Sequence, residues 1–351
     1  MEPFAPPRRG RARRLGRLLV GLVGIGLILV ANAAPAAAHG LGGPSPTDER
    51  VAVRRVVPAL AGVRVRTVDL GSQIELENRG GTAVVVLGYE GEPYLRVGPR
   101  GVEVNRRSPA TVLNRSATPE RRAPAGLDAG AEPRWVRTSI EPIARWHDHR
   151  AHWMGRGAVR DLAWSIPLRR AGNAAAIRGT ITTEPPPNPW VWLAAAATIT
   201  AATVLAARRG RWPAVLVGAL GLLAVSEVIH VVGAWGVWDT ATLRRLLGAA
   251  PSLVAIATSL GAAGRLISRR DTPDAATPLA LLAGVFTALA GGLADLGSLT
   301  HAIPPSTLAP SVVRATVTIA LGGGLGVAIV AGQHLRPPAE PVAAQPSTVS
   351  G

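Results

Sequence analysis

"TEPPPNPW", Thr183 to Trp190, divides this chain into two chemistries. Pro185, Pro186, Pro187 and Pro189 fix φ and remove backbone donors, so residues 185–190 read as a stiff linker between folded parts. Upstream, short β-branched runs alternate with Gly and Pro turns; downstream, Ala, Leu, Val and Gly fill long apolar stretches. At 351 residues, 48% hydrophobic and 17% charged, the chain is too apolar for a typical soluble enzyme and long enough for two units.

Outward on the N-terminal side, "GVRVRTV" (62–68) alternates, and "SQIELEN" (72–78) puts Ile74 and Leu76 on one face. "TAVVVLGY" (82–89) is a continuous buried run, preceded by turn chemistry in "NRGG" (78–81). "LAWSIPL" (162–168) alternates again, and Pro167 predicts an edge strand there; "AIRGTIT" (176–182) closes the domain. The pattern predicts an exported antiparallel β-sandwich over 39–184, with a Pro/Ala/Gly-rich surface loop from Ala117 to Glu132. Asn114 opens an N-R-S sequon, which carries little weight in a bacterial chain.

On the C-terminal side, five apolar spans are expected near 190–207, 212–233, 246–265, 278–298 and 312–332, each close to the length that crosses a bilayer as a helix. They form an all-α transmembrane bundle over 190–332, with a disordered tail over 333–351. Arg208, Arg209, Arg211, Arg265, Arg269, Arg270 and Arg336 all fall on one side if the first span enters from outside. The tail is then cytoplasmic and the β-domain extracytoplasmic, with Arg244, Arg245 and Arg314 as exceptions on the outer side.

Residues 1–38 read as a signal peptide: six arginines, an apolar core from Leu18 to Val30, then "APAAAHG". Cleavage after Ala38 leaves His39 as the first mature residue; cleavage after Ala36 and a retained anchor are the alternatives. The net charge of +16 divides as +5 over 1–38, +7 over 39–188 and +4 beyond; basic residues on an exported, membrane-tethered domain fit solvated charge or anionic lipid, so nucleic acid is not the expected partner. Every basic residue among the 38 is Arg, as in a high-GC and actinobacterial genome. With no Cys there are no disulfides or thiolate sites, and any metal is held by His, carboxylate or amine.

"RWHDHRAHWM" (145–154) places His147, His149 and His152 within ten residues. On a strand His147 and His149 share a side; on a helix His149 and His152 share one. Either pair, joined by the amine and ring of an N-terminal His39, makes a nitrogen-rich site suited to Cu(II), with Asp148 available to orient an imidazole. The alternative is that the histidines hydrogen-bond beneath Trp146 and Trp153 as part of the core. In the membrane part, Glu227 and His230 lie on one helical face, with Asp295 and His301 at the outer end of the fourth span. These form either a proton or metal relay or ion pairs with Arg244, Arg245 or Arg314. Glu90 and Glu92 alternate on one side of "GYEGEPYLRVGP" and read as solvated turn residues ahead of a catalytic pair. No G-x-S-x-G, Walker loop or H-E-x-x-H occurs, so no hydrolase or nucleotide-driven pump is indicated.

"GYEGEPYLRVGPRGVEVNRRSPATVLN" (88–114) together with "WHDHRAHWM" resembles a family of uncharacterised actinobacterial membrane proteins with an exported β-domain and a helical tail. The order of export signal ending in Ala-His, small β-domain and helical bundle is similar to fused CopC/CopD-type copper-handling proteins and to the copper-bearing subunit of particulate methane monooxygenase. That likeness implies copper bound through His39 and the H-x-H pair, but the chain lacks a Met-rich copper(I) motif, with Met154 its one internal Met. The expectation is a copper-binding or copper-delivering protein of the cell envelope, in contact with the lipid bilayer and with another envelope protein or a copper chaperone. An assembly partner without metal and a copper-dependent oxidase are the alternatives.

Overall fold

The computed structural model describes residues 45–115, 127–155, 157–237, 242–268 and 273–335. Among these residues ten strands come first, all antiparallel, in two sheets. The larger has seven strands in the order β1-β10-β9-β4-β5-β6-β7: β1 Glu49–Val57, β4 Val84–Leu87, β5 Pro93–Gly98, β6 Gly101–Asn105, β7 Trp135–Ser139, β9 Leu162–Arg170 and β10 Asn173–Thr183. The smaller has β2 Val63–Val68, β3 Gln73–Asn78 and β8 Ile143–Trp146, in the order β2-β3-β8. Leu95, Val97, Ile166, Leu168 and Ile177 from the first sheet and Ile74, Leu76, Ala144 and Trp146 from the second join one buried core. The alternation in β9 is the cause: Trp164, Ile166 and Leu168 point inward while Ala163, Ser165 and Pro167 stay exposed.

Two sequence expectations are corrected here. Pro167 lies in β9, between β10 and β4, and not on an edge strand. It is tolerated because β4 pairs with β9 only from Leu168 to Arg170, so the proline has a neighbour on the β10 side alone. The apolar run 82–89 yields a strand only over Val84–Leu87, since Gly88 turns back and donates its N–H to the Glu92 carbonyl. Asn114 is buried, its Oδ1 accepting from the Tyr89 hydroxyl, which places it out of reach of glycosylation. The expected loop 117–132 lies largely outside the described residues, which resume at Leu127. A four-residue helix, α1 Ala110–Leu113, precedes it.

The linker ends as a helix cap. The Asn188 side chain accepts from Trp190 N–H at 3.0 Å and Pro189 occupies the first turn, where its missing donor costs nothing. Then come α2 Pro189–Ala206, α3 Trp212–Trp235, α4 Thr242–Ile267, α5 Pro273–Thr287, the short α6 Gly297–Thr300 and α7 Pro310–Gln333. Among the described residues four stretches are long and apolar enough to cross a bilayer: Pro189–Trp235, Arg245–Ile267, Ala276–Leu293 and Pro310–Gln333. The first is 47 residues long and is divided between α2 and α3 at Gly210, whose φ of 88° lies outside the helical region.

Helix α7 is the centre of the bundle, with 61% of its most apolar window buried against 33% for each of the first two stretches. Its glycines allow this. A Cβ on Gly322 would enter the Ala196 backbone, and one on Gly324 would enter the backbone of Gly284 and Ala288. Thr200 Oγ1 donates to the Gly322 carbonyl at 2.8 Å across the same contact. Outward faces stay apolar, with Leu222, Val225, Val232, Leu253, Val254 and Leu260 exposed.

The β-domain touches one end of the bundle. Thr47 and Ile303 exchange two backbone hydrogen bonds, of 3.1 and 2.9 Å, and Ala302 N–H donates to Asp48 Oδ1 at 2.7 Å.

Candidate functional site

The 145–154 run folds as neither a continuous strand nor a helix. Trp146 ends β8, paired with Ile74, and its indole N–H donates to Asp148 Oδ2 at 2.9 Å. Asp148 is fully buried and caps a single 3-10 turn, His149–Ala151, by accepting from Arg150 N–H. Arg150 folds back on the same carboxylate in a two-pronged pair, Nε to Oδ1 and Nη2 to Oδ2, each 2.8 Å. Its remaining donors reach the Gly88 and Leu87 carbonyls at 3.2 and 3.0 Å, and its guanidinium lies 4.8 Å over the Tyr89 ring. Burial opposes the Arg150 charge, but the Asp148 carboxylate outweighs it and the pKa is raised. Burial, with Asp148 nearby, also pushes the Tyr89 phenol up to about 12. Asp148 is therefore engaged by Trp146 and Arg150, and the expectation that it orients an imidazole is corrected.

The turn also changes which histidines meet. His147 and His152 come together, rings 6.5 Å apart, while His149 faces Tyr89 at 6.2 Å. One 3-10 turn is too short to continue either periodicity, so neither expected pairing forms. His147 Nδ1 lies 2.7 Å and His152 Nε2 lies 3.0 Å from the same acceptor, the Ser72 carbonyl. A carbonyl only accepts, so both contacting nitrogens carry protons when the rings are neutral. His147 Nε2 is left as an acceptor 3.5 Å from the Gln73 amide nitrogen. His152 Nδ1 makes no hydrogen bond among the described residues. Burial lowers the His152 pKa and favours the neutral ring, outweighing the Ser72 carbonyl, which pulls the other way. His147 also borders a cavity of about 380 Å³. His39 lies outside the described residues, and among those described no group of three or more His, Asp or Glu side chains is arranged to hold a metal.

Glu90 and Glu92 part company at the turn. Glu90 is exposed, while Glu92 is buried and accepts from Ser108 Oγ at 2.7 Å and from Glu90 N–H at 3.0 Å. They do not share a side.

In the bundle, Glu227 is 2% exposed on α3 and has a hydrogen bond to the Ser252 side chain of α4. Its carboxyl fills the space left by Gly291, within a π-turn over Ala288–Leu293, and its Oε2 has no hydrogen-bond partner. One turn along, His230 Nε2 approaches Asp295 Oδ2 at 3.4 Å. Arg314 is not the acids' partner: it donates to the carbonyls of Ser298, His301 and Ala302 at 3.1, 3.0 and 2.8 Å. His301, the C-cap of α6, turns away as well, its Nδ1 lying 3.1 Å from the carbonyl of Gly297, that helix's first residue. The Arg244 side chain lies outside the described residues, and Arg245 lines a cavity against the β-domain.

Ser72 was invisible to sequence reading because its contribution is a backbone carbonyl about 75 residues away along the chain. No family model, curated protein or solved structure matches this chain.

Proposed function

We propose that the chain is a multi-pass membrane protein with five crossings, a sandwich-like β-domain outside and its C-terminus in the cytoplasm, which binds copper in that domain. The ligands are His147 and His152, completed by the amine and ring of His39 after signal removal. The observation that carries the reading is the shared Ser72 carbonyl, 2.7 and 3.0 Å from one nitrogen of each ring. Metal-binding imidazoles characteristically donate their other N–H to a carbonyl or carboxylate, which fixes the tautomer and strengthens the free nitrogen as a ligand. Without thiolates the donor set is nitrogen, and Cu(II) leads the divalent affinity order for such donors.

The test is Cu(II) titration of the full-length processed protein in nanodiscs, with spin-resonance spectra to count nitrogen ligands. One copper per chain is expected, and His147→Ala and His152→Ala each weaken binding at least about tenfold, whereas His149→Ala does not. Unchanged binding in both variants sinks the copper reading. The second reading, a metal-free assembly partner, draws on Trp146, Asp148 and Arg150 all being consumed by the core.

A further inference from the structure

The cavity beside His147 has a composition that the copper reading does not use. It measures about 380 Å³, within the range of small-molecule sites, and Arg106, Arg115, Arg145, Gln73, Asn114 and His147 all face it. No carboxylate lines it among the described residues. Arg145 is committed to Glu75 through Nε at 2.7 Å. The side chains of Arg106 and Arg115 make no ion pair or hydrogen bond among the described residues, and both are exposed at the rim. Below them Asn114, 5% exposed, has given its Oδ1 to the Tyr89 hydroxyl, while its buried Nδ2 has the Tyr94 phenol beside it but no well-formed hydrogen bond.

Buried polar atoms are rarely left poorly paired, so an amide donor with no well-formed bond at a cavity wall points to an acceptor-bearing ligand. Two uncommitted guanidiniums above it supply the charge and the planar fork that match carboxylate or phosphate oxygens. Trp146 gives the same cavity an apolar wall. We infer that this cavity is a binding site for a small oxyanion, a carboxylate or phosphate compound, seated on Asn114 and held by Arg106 and Arg115. The site does not require the metal, so it stands or falls separately from the copper reading.

The experiment is calorimetric titration of full-length protein in phosphatidylcholine nanodiscs, stripped of metal by chelator. Inorganic phosphate and citrate are the two probes. One anion per chain is expected; citrate as the tighter ligand identifies a carboxylate site, and phosphate as the tighter identifies a phosphoryl site. Arg106→Gln with Arg115→Gln weakens that binding at least about tenfold, the loss of charge-assisted hydrogen bonds. Arg64→Gln, at an exposed position outside the cavity, leaves it unchanged. Asn114→Asp, which replaces the amide donor by a like charge, also weakens it, and an unshifted melting curve for the double arginine variant excludes misfolding as the cause. If neither anion binds, or the double variant and Arg64→Gln lose affinity equally, the site does not exist.

Discussion

At the scale of single residues, the 145–154 run does two jobs on two sides. Asp148 and Arg150 lock the turn to the Gly88 loop, and His147 and His152 face the Ser72 carbonyl. Asp148→Ala leaves Arg150 as a largely buried cation without its counter-ion and is expected to cost about 3 kcal/mol, read by denaturant unfolding. His149→Ala, by contrast, is expected to change stability little. His152 supplies a pH signature. Its folded pKa is lowered, so the unfolded chain binds its proton more readily. The penalty is absent well above the unfolded value of about 6.5, grows as pH falls through it, and levels off below the folded pKa. Melting temperature is therefore expected to drop between neutral pH and about pH 5, and His152→Gln should flatten that slope. A slope unchanged by the variant rejects the assignment.

At the scale of elements, close approaches decide more than propensity does. Gly179 of β10 lies opposite Trp164 of β9, and a Cβ there would fall inside the indole. Gly179→Ala is expected to destabilise the β-domain by about 1–3 kcal/mol through overpacking, with part of the loss recovered when Trp164 is shortened to Leu. In the bundle, Gly291 has the same relation to the Glu227 carboxyl. Because Arg314 is satisfied by carbonyls, Glu227→Gln strands no buried cation. Its membrane abundance is expected to stay near that of the parent, while Gly291→Val lowers abundance sharply. Quantitative blotting of both variants measures this, and an equal fall in the two would mean that Glu227 is a structural partner.

At the scale of the molecule, the two units are joined by the Thr47–Ile303 bridge as well as by the proline linker. The β-domain therefore docks on the end of the bundle where α3 finishes and α4 begins, as the cavity shared by Val68, Leu70, Gly236 and Val237 shows. The proposed topology puts that end outside. The chain has no Cys, so single cysteines report position cleanly. Ile140→Cys, at a site 82% exposed, is expected to react with an impermeant thiol reagent in intact cells. Arg209→Cys, exposed in the turn between α2 and α3, should react only after permeabilisation. The reverse pattern overturns the orientation.

Periodicity and composition alone determined that a strand-rich part precedes an apolar helical part, and where they divide. Both signals are local: alternation in Leu162–Leu168 and unbroken apolar stretches after Pro189 report burial by near neighbours. Sequence also found Glu227, His230 and Asp295, because an ionisable group in an apolar run stands out by itself. Strands β1, β5, β6, β7 and β8 went unmarked, since Arg and Gly interrupt their alternation. Only the tertiary structure decided which histidines meet. Their pairing depends on one 3-10 turn and on a carbonyl contributed by another strand's end, and the uncommitted Arg106 and Arg115 gather beside them from β6 and α1 flanks. Such sites are made by long-range closure of the chain, and no residue in them carries that information in its own neighbourhood.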